Sequence, residues 1–132
     1  MNFKKTVKNT LRAGSLGLLF LPVLAMATAT LVIHNNTDYP STSIINGGIC
    51  SSFLPAGIGI TEPHSTNSVP GVTVHSACWA NRENCSAVIY LTQDCSGASI
   101  GTVVLSTTSG VKSISATGAY SITGNGFEVT LG

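Results

Sequence analysis

Val72–Leu105 reads VTVHSACWANRENCSAVIYLTQDCSGASIGTVVL. Two β-like runs, Val72–Ala77 and Ser86–Thr92, flank a short polar loop. Cys78, Cys85 and Cys95 stand at their ends, and a third run, Gly101–Leu105, follows a Ser96-Gly97 turn. The stretch also holds the single tryptophan, Trp79. Strand geometry constrains the cysteines. If Ser86–Thr92 is straight, a rise of about 3.3 Å per residue puts Cys85 and Cys95 roughly 30 Å apart. A disulfide needs Cα atoms about 4.4–6.8 Å apart. Cys78 and Cys85 instead face each other across the Trp79–Asn84 loop. By elimination Cys50 pairs with Cys95.

Outward from this stretch, turn signals recur at the spacing of an all-β sandwich. On the C-terminal side Ser109-Gly110 joins Thr102–Thr107 to Val111–Ala116. Asn125-Gly126, a strong hairpin dipeptide, joins Ala119–Thr123 to Phe127–Leu131. In the last run Phe127, Val129 and Leu131 alternate with Glu128 and Thr130, the pattern of a half-buried strand. On the N-terminal side Thr30–His34 and Ser41–Asn46 read as strands. Ser51–Gly71 is less regular and holds Pro55, Pro63 and Pro70, each lacking a backbone donor. Within it Gly57–Thr61 is expected as a short edge strand with Ile58 and Ile60 inward. Thr61–Pro70 is expected as an exposed loop, a place where function can reside. No helical stripe is evident after Ala29. The expected fold is all-β, a single antiparallel β-sandwich of about eight strands with two disulfides.

The first residues belong to export and not to the fold. Lys4, Lys5, Lys8 and Arg12 precede the apolar run Leu16–Met26, which is followed by the small-residue sites Ala25-Met26-Ala27 and Ala27-Thr28-Ala29. This is the pattern of a cleaved secretory signal. The run is short of the roughly 20 apolar residues a spanning helix needs. Cleavage is expected after Ala29, with Ala27 as second choice. Residues 1–29 are then the signal and 30–132 a β-sandwich domain of 103 residues, secreted or periplasmic. Removing the signal leaves two basic residues, Arg82 and Lys112, against five acids, a formal charge of −3. No basic patch remains for phosphates, so no nucleic-acid partner is expected. No transmembrane segment is expected in the mature chain. Four cysteines in a small exported domain read as two disulfides. Zinc is the rival reading, but no C-x2-C pair occurs, and neither a metal nor a cofactor is expected.

Candidate chemistry is thin. His34, His64 and His75 are scattered, and no G-x-S-x-G marks a nucleophile among the many serines. His75 would share a solvent-facing strand face with Thr73 if Val72 and Val74 are buried. Glu83 and Asp94 would lie at opposite ends of one strand, unlike the facing carboxylates of a glycosidase. Asn35-Asn36-Thr37 and Asn84-Cys85-Ser86 match the glycosylation sequon at a frequency close to chance.

ENCSAVIYLTQDCSG, followed by IGTVVL and GVKSI, resembles small exported proteins of Gram-negative bacteria, and TLVIHNNTDYPSTSIING resembles their first two strands. Those are single disulfide-bonded β domains. The resemblance implies a compartment and a fold class and carries over no catalytic residue. A fimbrial subunit is similar in size and disulfide use. Its usual near-terminal tyrosine and glycine about fourteen from the end are replaced here by Leu131 and Ala119, with Gly118 one position off.

The resulting expectation is a non-enzymatic exported domain, a monomer that acts by binding a protein or glycan partner. A structural subunit polymerising by strand exchange is the alternative, and a small secreted hydrolase the second. The candidate contact surface is Trp79 and Arg82 on a loop closed by Cys78 and Cys85, residue types enriched in binding hot spots. Core packing of Trp79 on the disulfide is the competing reading, favoured for that residue. Arg82 pairing with Glu83 or another loop acid is the competing reading of the arginine.

Overall fold

The computed structural model describes residues 29–132. The signal assigned to 1–29 lies, but for Ala29, outside the described residues. Eight strands form two four-stranded sheets. The strands are β1 (Leu31–Asn35), β2 (Thr42–Ile45), β3 (Ser65–Val69), β4 (Cys85–Tyr90), β5 (Ser99–Ser106), β6 (Gly110–Ala116), β7 (Ile122–Asn125) and β8 (Glu128–Leu131). One sheet has the order β3-β1-β8-β7 and the other β2-β4-β5-β6. All pairings are antiparallel except β1 with β8, the first and last strands, which run parallel. This is the sandwich expected from the turn spacing.

The period-2 patterning buries the facing surfaces of the two sheets. Ile89, Ile100, Val103, Ile122, Val129 and Leu131 form one cluster. Val69, Val74, Cys78, Cys85 and Leu105 form a second, and Leu31 packs against both. The alternation read in the last strand holds: Val129 and Leu131 are buried and Glu128 is exposed. At one corner the start of β6 lies on the β7–β8 turn. Val111 N–H donates to the Gly126 carbonyl (2.7 Å), and Gly110 has φ +91° with Gly126 backbone where its Cβ would stand. Only glycine fits there.

Three local expectations are corrected. Val72–Ala77 is not a strand but part of a short helix, α1 (Gly71–Ala77). Val74 and Cys78 turn into the core while Val72 is 63% exposed, so the inward residues are four apart and not two. A run this short fits either period. What decides is the path: Pro70 ends β3 in one sheet, and α1 carries the chain across to β4 in the other. Thr61–Pro70 is not all loop, because Ser65–Val69 pairs with β1 as an edge strand whose polar composition hid it. Gly57–Thr61 is not a strand. Pro55–Gly57 forms a 3₁₀ turn with Ala56 at φ +59°, and only Thr61 makes a bridge, to Ser41.

The disulfides are Cys50–Cys95 and Cys78–Cys85, with Cα atoms 5.9 and 5.5 Å apart. Both stand at the ends of β4. Cys85 begins it, and Cys95 follows it by five residues. Among the described residues no helix is long and apolar enough to cross a membrane.

Candidate contact surface

The Trp79–Asn84 loop begins where α1 ends. Cys78 faces inward, 3% exposed, and a single 3₁₀ turn, Trp79–Asn81, follows. In helical geometry the next residue is rotated by about 100°, which turns Trp79 out to solvent. It is 66% exposed. The core expectation for Trp79 is therefore corrected: the disulfide packs among Val69, Val74 and Leu105, and the indole does not lie among them.

Arg82 covers the indole instead. Its guanidinium carbon is 4.6 Å from the ring centroid, and the His75 ring lies 5.9 Å away at a 56° tilt. An arginine stacked on tryptophan is held by the ring's quadrupole and keeps its hydrogen-bonding edge for water or a partner. Arg82 does not pair with Glu83, and among the described residues it makes no ion pair. The Glu83 carboxylate is occupied elsewhere. It accepts from Ser106 Oγ (3.0 Å) and Thr108 Oγ1 (3.3 Å). Lys112 Nζ donates to the Glu83 carbonyl and to Asn84 Oδ1 (3.1 and 2.8 Å), and Thr107 N–H donates to the Arg82 carbonyl (2.8 Å). The tip is thus closed covalently at its base, and its second half, Arg82–Asn84, is tied to the β5–β6 hairpin.

The sequence matches, over residues 4–132, the family described as T2SS substrate NttC. The chain belongs to the NttC family. The crystal structure of the Legionella pneumophila type II secretion system substrate NttC is similar, with 28% sequence identity and a TM-score of 0.64. The match covers 80% of this chain and 98% of that one. No curated protein matches. A member of the NttC family is an exported protein, in agreement with the leader pattern and with the small exported β domains the sequence resembles.

Elsewhere in this NttC-family domain the remaining candidates stand apart. His34 bridges three strands, with Nδ1 on Thr66 Oγ1 and Nε2 on Glu128 Oε1, both at 2.9 Å. His64 Nε2 meets Asp38 Oδ1 at 2.6 Å on another turn. His75 is on α1 beside Trp79, not on a strand face. No group of three potential metal ligands occurs among the described residues. Glu83 and Asp94 lie beyond opposite ends of β4. The Asn35 sequon cannot be modified in the folded domain. Asn35 is fully buried, and its amide donates to the carbonyls of Tyr39, Thr61 and Glu62. Sequence reasoning missed that network, which an asparagine opening the turn-rich NNTDYP segment could have suggested.

Proposed function

We propose that this protein is a type II secretion substrate that acts after export as a non-enzymatic binding module, and that the Trp79–Arg82 tip contacts its partner. The observation that carries this reading is a tryptophan held in solvent, under an arginine, on a disulfide-closed loop. Exposing so much indole forgoes the burial of a large apolar side chain, and a partner would recover it. A stiff tip loses little conformational freedom on docking. Polymerisation by strand exchange is disfavoured because β1 and β8 occupy the interior of their sheet and pair with each other. Releasing either one would open the sheet at its centre.

The test is binding to an array of purified proteins, comparing the mature protein with Trp79→Ala. A partner retained by the parent and lost by a variant of unchanged fold supports the reading. Equal binding by both, or turnover of any substrate in a broad hydrolase panel, overturns it.

A further inference from the structure

The other end of β4 carries a second surface. Tyr39, the β4–β5 loop and the β6–β7 loop enclose an open cleft of about 360 Å³. That is within the range of small-ligand sites, about 300–1,000 Å³. Small residues of the two loops line it, Ser96-Gly97-Ala98 and Thr117-Gly118-Ala119, with Leu91 and Ile100 as aliphatic members and Tyr39 and Tyr120 as aromatic ones. No charged side chain lines it. Asp38 and Asp94, next to or near lining residues in sequence, are hydrogen-bonded to His64 and to Ser96 Oγ (2.6 Å).

The cleft is held in shape by a disulfide and a set of hydrogen bonds. On one wall Cys95 is fixed by its disulfide, and its N–H donates to Thr42 Oγ1 (3.0 Å). Ser96 N–H donates to Thr92 Oγ1, which donates back to the Ser96 carbonyl, both at 3.0 Å. On the other wall Thr117 N–H donates to the Ile100 carbonyl (2.8 Å). Tyr39 projects from a turn whose carbonyl is gripped by Asn35 Nδ2 (2.7 Å) and Thr37 Oγ1 (3.0 Å), both residues buried. Buried polar machinery therefore presents a tyrosine that is itself 52% exposed. Gly97 and Gly118 have open space where a Cβ would stand, so their peptide groups are uncovered.

We infer that this cleft binds an uncharged carbohydrate. A sugar ring offers a C–H face and a rim of hydroxyls. The tyrosine rings give flat apolar bodies with a polar tip for the face. Ser, Thr and uncovered peptide groups give donors and acceptors for the rim, the composition that rigid aromatic and adaptable polar contacts share in binding loops. An uncharged wall with engaged acids nearby offers nothing to compensate an anionic sugar for lost hydration. The site lies at the opposite end of β4 from the Trp79 tip, a strand of six residues, so its success or failure is separable from the reading above.

The experiment titrates the disulfide-bonded mature protein with cellotriose, maltotriose, mannotriose and chitotriose, with sialyllactose as the anionic comparison, following backbone amide shifts. At least one neutral trisaccharide should bind with a Kd of about 1 mM or tighter and shift Gly97 and Gly118. Tyr39→Ala should weaken it at least about tenfold. Ala98→Trp, which fills the cleft from an exposed position, should abolish binding while preserving the dispersed spectrum. Trp79→Ala should leave the affinity unchanged. No shift with any neutral sugar, binding of sialyllactose alone, or full affinity in the folded Ala98→Trp or Tyr39→Ala variant would overturn the assignment. So would loss of binding in Trp79→Ala.

Discussion

Trp79→Ala separates a working surface from a core residue, and its cost follows from the geometry. Trp79 is 66% exposed, so about one third of its side chain is covered. Aromatic side chains bury up to about 250 Å² when fully enclosed, which puts the covered part at roughly 80 Å². At about 25 cal/mol per Å² this is about 2 kcal/mol, a ceiling because the unfolded chain already hides some of that area. An exposed cation–π contact such as that with Arg82 accounts for about 0.5–1 kcal/mol of the total. The expected loss is therefore about 1–2 kcal/mol, against about 3–5 kcal/mol for a buried aromatic. Leu131, 1% exposed in the main cluster, is the internal standard. Leu131→Ala should cost about 2–5 kcal/mol. Urea unfolding of the oxidised mature domain measures both, with equal m-values as the check on two-state behaviour. A Trp79→Ala loss of about 3 kcal/mol or more would put the indole in the core and refute the contact reading.

Three further outcomes are expected. Intact mass of the exported protein should begin at Thr30, and a mature species retaining Met1–Ala25 would exclude the leader assignment. Replacing Cys50 and Cys95 together by alanine should cost about 4 kcal/mol, and replacing Cys78 and Cys85 about 2 kcal/mol, because the separations of 45 and 7 residues remove different amounts of chain entropy; thermal unfolding of the two double variants would contradict this if the order were reversed. Gly110→Ala should lose about 2–4 kcal/mol by denaturant titration, since it combines φ +91° with Gly126 backbone at the Cβ position, and a neutral result would mean that the β6 corner is placed wrongly.

The sandwich was legible because its signals are local. Asn125-Gly126 marks a hairpin, and Phe127–Leu131 alternates. The seven residues Gly71–Ala77 were not legible, because helix and strand both place residues four apart on one face, and the choice belongs to the crossover between sheets. Ser65–Val69 was hidden for a related reason. An edge strand pairs through its backbone on one side, so Ser, Thr and Asn suffice. The disulfide partners followed from the length of one strand, even though Cys78 arrives there on a helix. Trp79 misled because a tryptophan beside a disulfide is a plausible core pair. Its outward turn depends on Cys78 being the last inward position of α1, which no composition reveals. The Tyr39 cleft left no linear trace. Its walls come from three loops far apart in sequence, collected by β1, β4 and β6 ending at the same side of the sandwich.

The placement of the staples bears on which surfaces work. For stability alone the Cys50–Cys95 bridge is the effective one, since it closes the longer loop. Cys78–Cys85 spans a short segment and stabilises less, yet the Trp79–Asn84 tip is tied again through Arg82, Glu83 and Asn84 to the β5–β6 turn. That density of restraint exceeds what connecting α1 to β4 requires. The same holds at the far end of β4, where Cys95, Thr42, Thr92 and Ser96 fix a loop whose tip is exposed. Rigid exposed loops are costly to order and yield little by way of core. Their return comes on binding, when a surface already in shape has less freedom left to lose. A single central strand, stapled beyond both ends, thus carries two preformed surfaces of different chemistry: an indole under a guanidinium at one end, and two phenols among uncharged peptide walls at the other.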